Sequence, residues 1–252
     1  MNMLKKINCL TIDDNGCSYN SHEIIKEYPV SVYINGRYAT SAMITPDMLD
    51  SFAIGHLFTE KIIGNYEEIQ SIRVYENEIN IHTKNPYPIL FSGKTITSGC
   101  GGVSTFLDTK KLPQIESNLI LKPEEIINGL NTVLDSELYQ KTRGNHTVGM
   151  FSKDENLCIS EDIGRHNALD KIIGYGLKKE IDFSSTFVVS SGRISSEMVY
   201  KCAVSGVPVV VSKGATTDTA KNIAQSCKMT LIGRVRGKKM NIYTGKKRIN
   251  VI

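Results

Sequence analysis

The chain has 252 residues, 40% of them hydrophobic, and a net charge of +4, which is enough for one large domain or two subdomains around a real core. It holds no run of about 18 apolar residues, so no membrane span is expected. Met1-Asn2-Met3-Leu4-Lys5-Lys6 offers no apolar segment with a small-residue cleavage site, so secretion by that route is not expected either.

Residues 1 to about 27 read as irregular or weakly stranded. Tyr28 to Thr40 reads as a hairpin: Val30, Val32 and Ile34 alternate, and Asn35-Gly36 supplies the turn. Thr45-Pro46-Asp47 then reads as the start of a helix with Thr45 as its cap. Its apolar stripe runs from Met48 to Ile63, and Gly64 ends it. His56 in this run reads as a packed or surface residue. Ile72 to His82 reads as a second hairpin, turning near Glu76-Asn77. Residues 85 to 118 read as a polar loop, and Pro123 to Tyr139 reads as a helix. His146 to Phe151 and Leu157 to Ser160 are expected as strands.

From Gly164 the pattern alternates. Helices are expected to Lys179, from Ser195 through Ala203, and from Thr217 to Cys227. Strands are expected at Phe187–Ser190, Val207–Val211 and Met229–Ile232. Such alternation predicts an α/β protein, in detail α+β with a mixed, partly parallel sheet. The expected division is an N-terminal subdomain, 1–120, and a C-terminal α/β subdomain, 121–252.

Ser160 to Lys171 carries acids first (Glu161, Asp162), then Gly164, then Arg165 and His166 where a strand gives way to a helix. The acids lie upstream of a helix N-terminus, where negative charge is favoured. Arg165 and His166 emerge at a junction where α/β proteins often bind ligands. Ser190-Ser191-Gly192-Arg193 and Ser212-Lys213-Gly214-Ala215-Thr216-Thr217 each follow a strand and precede a helix. Hydroxyls, backbone NH groups and a cation there suit an anion. Neither has the spacing of a nucleotide-hydrolase loop.

Charge is segregated. After Asp218 there is no acid, while nine Lys and Arg follow, which leaves 21 basic against 26 acidic residues before that point. An anionic partner is therefore expected at the C-terminal part. Nucleic acid is disfavoured, because few aromatics accompany those cations and no known module is present.

The six cysteines form no CxxC pair, which fits reduced thiols. Cys100 differs from the rest: Thr97-Ser98-Gly99-Cys100-Gly101-Gly102 sets it among glycines that leave its sulfur unshielded. It is the nucleophile candidate, given nearby positive charge or NH groups to stabilise a thiolate. Zinc is not expected, since HExxH and PCxxC elements are absent.

Together these blocks have a recognisable order. Thr45-Pro46-Asp47 with Phe52 to Glu60, the Cys100 loop, Glu161 to Lys171, Ser191 to Met198 and Leu231 to Arg236 resemble the formate dehydrogenase accessory sulfurtransferase family, FdhD/NarQ, over about Tyr28 to Tyr243. The resemblance implies a cytoplasmic homodimer with a cytidine deaminase-like fold that lacks zinc. It implies transfer of persulfide sulfur from a cysteine desulfurase, through Cys100, to the molybdenum bis(molybdopterin guanine dinucleotide) cofactor. The partner served is then the formate dehydrogenase catalytic subunit. A guanine nucleotide such as GDP is the expected mimic of the cofactor. Matching the family's C-terminal motif assigns cofactor binding to Arg234, Val235, Arg236, Gly237, Lys238 and Lys239. Arg165, His166, Arg193 and Lys213 are expected to bind anionic or guanine portions, or to steady the persulfide.

Two positions depart from the family pattern. Gly101, Gly102 and Val103 follow Cys100, where many members carry a second cysteine, and Arg234 stands where many carry an aromatic residue. The first departure implies one-thiol transfer straight to the acceptor. The competing reading is a non-catalytic chaperone that holds and delivers the cofactor.

Overall fold

The computed structural model describes residues 3–14, 16–85 and 112–251. The chain begins with a long hairpin, β1 (Leu4–Asp13) and β2 (Gly16–Ile25), in unbroken register from Leu4 opposite Ile25 to Asp13 opposite Gly16. This regular ribbon departs from the irregular reading. Each face of β1 mixes apolar with polar residues, so no clean alternation marks it. The ribbon stays largely exposed, and its backbone ladder rather than burial defines it.

β3 (Tyr28–Ile34) and β4 (Arg37–Ile44) form the expected hairpin. Asn35 and Gly36 both take positive φ, 51° and 78°, as a two-residue turn of this kind requires. After α1 (Leu49–Thr59), the second expected hairpin follows as β5 (Ile69–Tyr75) and β6 (Glu78–Thr83). Parallel pairing of β3 with β6 completes a four-stranded sheet, β4-β3-β6-β5. Its apolar face (Val30, Val32, Ile34, Ile79, Ile81) is buried with Phe52, Ala53 and Leu57 of α1.

α1 starts three residues later than expected, with Met48 in a left-handed conformation ahead of it. Thr45 is committed elsewhere. Its NH donates to Asp162 Oδ2 (3.0 Å), its hydroxyl accepts from the Ile163 NH (3.3 Å), and its carbonyl accepts from Lys171 Nζ (3.0 Å). The residue read as a helix cap thus ties the N-terminal layer to the second one.

The second layer comprises α2 (Pro123–Leu134), α3 (Glu137–Thr142), β7 (His146–Phe151), β8 (Asn156–Asp162), α4 (Arg165–Lys178), β9 (Phe187–Ser190), α5 (Ser196–Ser205), β10 (Val209–Ser212), α6 (Asp218–Ser226), β11 (Thr230–Arg236) and β12 (Lys239–Thr244). The helix expected over 123–139 is broken at Ser136, which is extended and bonds Thr147 Oγ1 (2.8 Å). The Tyr139 NH then meets Glu161 Oε1 at 2.8 Å.

The six strands run β12-β11-β10-β9-β7-β8. β9, β10 and β11 are parallel, and β7 and β12 are antiparallel to their neighbours. β8 therefore points the same way as β9 to β11. Ile172, Met198, Cys202 and Ile223 of α4, α5 and α6 pack with Val188, Val210 and Leu231 on one face. Ile126, Leu130 and Val133 of α2 pack with Val189, Val209 and Ile232 on the other. The mixed α/β class is as the alternation predicts. Residues 112–121, just before the boundary expected at 120/121, lie along this second unit: the Ile115 NH meets the Cys227 carbonyl (2.9 Å), and Leu121 bridges to Ile249.

α1 and α4 cross almost backbone to backbone. A methyl at Gly55 would lie 1.9 Å from the Asp170 carbonyl oxygen, and one at Gly174 would lie 1.9 Å from that of Ser51. A side chain at either position would drive the layers apart.

Candidate anion-binding site

The carboxyl ends of β8, β9, β10 and β11 open at one edge of the sheet, where α/β folds place ligands. Strand-end hydroxyls fix the loops there. Ser190 Oγ accepts from the Gly192 NH (3.1 Å). Ser212 Oγ accepts from the Gly214 NH (2.7 Å) and donates to the Gly192 carbonyl (2.5 Å). The Ile194 NH donates to the Ala215 carbonyl at 3.0 Å. A side chain at Gly214 would press on the Arg193 backbone at 3.1 Å, so glycine lets the two loops lie together.

β11 supplies the third wall. Its pairing with β12 shifts register between Gly233 and Arg236, and Arg234 takes φ 54°. Non-glycine residues seldom adopt this conformation. Here the Arg234 NH donates to the Gly214 carbonyl at 2.8 Å. The bulge leaves Arg234 and Arg236 exposed on either side of Val235, which is buried in the core.

The result is a cavity of about 470 Å³ lined by Lys213, Gly214, Ala215, Arg234, Arg236, Lys239 and Asn241. It holds four cations and no acid. Of the assigned residues, Lys213, Arg234, Arg236 and Lys239 line it. Val235 packs inward, and Gly237 and Lys238 form the exposed turn into β12 without lining the cavity. Arg193 is exposed on the neighbouring loop.

Arg165 and His166 form a second cluster along the same edge, at the start of α4. His166 Nε2 lies 3.1 Å from Ser195 Oγ and 3.6 Å from Glu197 Oε2. Burial, with Arg165 and Lys201 nearby, pushes the His166 imidazole down to about 3. Burial and Arg165 lower His146 as well. Burial raises the Glu197 carboxyl above its ordinary value. Both imidazoles are therefore neutral at pH 7, and the guanidinium supplies the positive charge. Arg165 Nε is buried with no hydrogen-bond partner among the described residues.

Beneath this cluster the acids are consumed internally. Asp162 Oδ2 meets Lys171 Nζ at 2.7 Å, with both side chains fully buried. Its other oxygen accepts from the Gly164 NH (2.8 Å) and Asn167 Nδ2 (3.0 Å). Asp170 Oδ2 meets Lys201 Nζ at 2.5 Å, and Thr59 Oγ1 (3.0 Å) and His56 Nδ1 (3.4 Å) complete its surroundings. Much of the 160–171 block therefore builds the fold, and its Arg165 and His166 stand at the start of α4, outside the cavity lining.

Sequence reasoning missed His146, Glu197 and Asn241. A methyl at Gly192 would lie 2.7 Å from His146 Nδ1. The start of a strand antiparallel to β8 and β9 brings this histidine to the edge, and sequence spacing carries no sign of it. Asn241 sits two residues beyond Lys239 on the same strand, a period that does signal a shared face.

Cys100 lies outside the described residues. Of the others, Cys158, Cys202 and Cys227 are buried, and burial pushes their thiols up to about 12, 12 and 11. None of the three is a thiolate at neutral pH.

A strand-end loop and a cationic bulge around one acid-free cavity mark an α/β protein with a candidate anion site. A family description covers the same stretch: the FdhD/NarQ family model matches residues 25–250, and the chain belongs to that family. A sulfur carrier protein FdhD from Wolinella succinogenes is 35% identical over 236 residues, spanning 90% of this chain and 82% of its own. One from Bacillus pumilus is 34% identical and covers 90% of both chains. A solved structure from Desulfotalea psychrophila, described as a formate dehydrogenase accessory protein, superposes with a TM-score of 0.84 at 25% identity, over 99% of this chain and 100% of that one. No helix among the described residues is long and apolar enough to cross a membrane.

Proposed function

We propose that this chain is a sulfur carrier for formate dehydrogenase maturation. It takes persulfide sulfur on Cys100 from a cysteine desulfurase and passes it to the molybdenum bis(molybdopterin guanine dinucleotide) cofactor as substrate. Work in the cytoplasm as a homodimer is part of the same reading. The relatives' description as sulfur carrier proteins supports it. The observation that carries it is the acid-free cavity of Lys213, Arg234, Arg236 and Lys239, which suits the phosphates of a guanine dinucleotide.

In the loading step the Cys100 thiolate attacks the outer sulfur of the desulfurase persulfide. The donor S–S bond breaks and the desulfurase thiolate leaves, so no outside oxidant is needed. Release as sulfide takes two electrons. An external thiol supplies them and ends in a disulfide with Cys100, because no second cysteine follows within Gly101-Gly102-Val103.

The test is intact-protein mass spectrometry after incubation with a cysteine desulfurase and cysteine. A reducible gain of about 32 Da, absent from Cys100→Ala, is the expected result. No gain, in a protein that still binds GDP, replaces sulfur transfer with the non-catalytic cofactor holder.

A further inference from the structure

A second cavity of about 580 Å³ lies beside the first, and the proposed sulfur chemistry does not use it. Lys221 and Lys228 on one side and Lys246 and Lys247 on the other surround an apolar floor that includes Met229 and Ile242. Arg248 lies buried next to it. Its guanidinium meets the carbonyls of Lys228 (2.6 Å) and Ile115 (3.4 Å), and its Nε has no partner among the described residues. No acid is among the residues that line this groove, and none follows Asp218 in the sequence.

The two cavities are built differently. The first sits where two loops feed helix starts and the Arg234 bulge adds a guanidinium, an arrangement suited to phosphate. The second sits at the C-terminal end of α6, where the NH groups of Cys227, Lys228 and Met229 already take the last helix carbonyls. Its rim cations are lysines, flexible point charges rather than planar forks. An apolar floor and a lysine rim fit side-chain carboxylates spread along a chain, with an apolar side chain between them.

We propose that this groove docks an acidic segment of a partner protein. The Tyr243 ring stands between this groove, which it lines, and the first cavity. A methyl at Gly233 would lie 3.1 Å from that ring and 3.3 Å from the carbonyl oxygen of Gly214, a lining residue of the first cavity. The docked segment therefore lies against the rim of the anion cradle.

Fluorescence anisotropy tests the proposal on the full chain. The probe is a labelled peptide of about 14 residues, rich in glutamate with two leucines, and its Glu→Gln counterpart is the control. Saturable binding of the acidic peptide alone is expected, weaker at higher salt and at least about tenfold weaker for Lys228→Glu/Lys246→Glu/Lys247→Glu. The Lys→Gln triple variant gives a smaller loss, and Arg234→Ala/Arg236→Ala stays within about twofold of wild type. Thermal melts confirm that each variant folds. Absence of saturable binding, or an unchanged Lys→Glu variant, overturns the proposal. Pyrophosphate binding that is lost with the lysines but kept in the Arg234→Ala/Arg236→Ala protein makes the groove a phosphate site instead. A dimer that becomes monomeric in the Lys→Glu variant makes a second copy the occupant.

Discussion

Lys201→Met should expose how strongly the site depends on its buried support. In the folded chain Lys201 Nζ lies 2.5 Å from Asp170 Oδ2, and the two side chains are 3% and 2% exposed. Methionine keeps the length and removes the charge. Thr59 and His56 then remain as the polar neighbours of the carboxylate. Breaking one side of a buried pair costs about 3–5 kcal/mol. At about 2–4 °C per kcal/mol for a chain of this size, that is a fall of roughly 6–20 °C in Tm. The loss should depend on pH. Burial pushes the Asp170 carboxyl up, but Lys201 and His56 outweigh it and hold the carboxyl below its ordinary value. In the wild type this contribution is fully present above about pH 4 and is lost as pH falls through the depressed value. In the variant, burial without the ammonium raises the carboxyl, so the penalty is greatest at neutral pH and shrinks toward pH 4. Thermal melts at pH 7 and 4.5 measure both effects. A loss under about 1 kcal/mol at pH 7, or a gap that does not narrow in acid, would refute the reasoning. Asp170 lies one turn beyond His166 on α4, and Lys201 one turn beyond Glu197 on α5. The pair therefore also sets the spacing of His166, Ser195 and Glu197.

Gly55→Ala should lose at least about 3 kcal/mol or fail to accumulate as folded protein, because its methyl would meet backbone that cannot move aside alone; a wild-type urea midpoint would contradict the crossing described. His166 titrates near 3 in the fold and near 6.5 unfolded, so acidification from pH 7 to 5 should destabilise the wild type by up to ~1.4 kcal/mol per unit below 6.5. His166→Gln should flatten that slope, and parallel wild-type and variant profiles would sink the assignment. Arg234→Ala/Arg236→Ala should weaken GDP binding by at least about tenfold in calorimetry and make the remainder less salt-sensitive, whereas wild-type affinity would place the phosphates elsewhere.

The parts legible in the sequence were those with a local cause. Asn35-Gly36 marks its hairpin because positive φ at two successive residues suits few other pairs. The strand–helix alternation after Gly164 gives the α/β class because each helix must cover a strand. Arg234, Arg236 and Lys239 share a cavity within the segment of unbalanced charge after Asp218, and Lys213 joins them from the loop before α6. The failures have non-local causes. Thr45 resembles a helix cap in its own window, yet Asp162, Ile163 and Lys171 take all three of its polar groups from across the molecule. Ser136 breaks a helix whose apolar pattern continues through it, because Thr147 lies opposite. The β1–β2 ribbon escapes a periodicity search because it buries neither face. Val235 sits inside a motif of cations but follows the strand period, and its side chain goes to the core.

The distribution of charge explains why the edge of the sheet stays positive. Glu161, Asp162 and Asp170 all lie close to Arg165 in sequence, and as surface residues they would pair with it and cancel its field. Each is diverted. Glu161 accepts from the Tyr139 NH (2.8 Å) and Asn145 Nδ2 (3.2 Å). Asp162 is matched by Lys171 and Asp170 by Lys201, both inside the protein. A buried pair adds little net stability over apolar packing, so stability alone is a weak account of two such pairs whose acids lie within nine residues. Their shared consequence is electrostatic. They keep the helix-start acids off the surface, and Arg165 is left with a buried Nε that has no partner among the described residues, near two neutral imidazoles. Replacing Lys171 with Met would remove the match for Asp162 directly below Gly164. Burial already raises the Asp162 carboxyl, and without the Lys171 ammonium it would rise further, so the variant's loss of stability should shrink as pH falls.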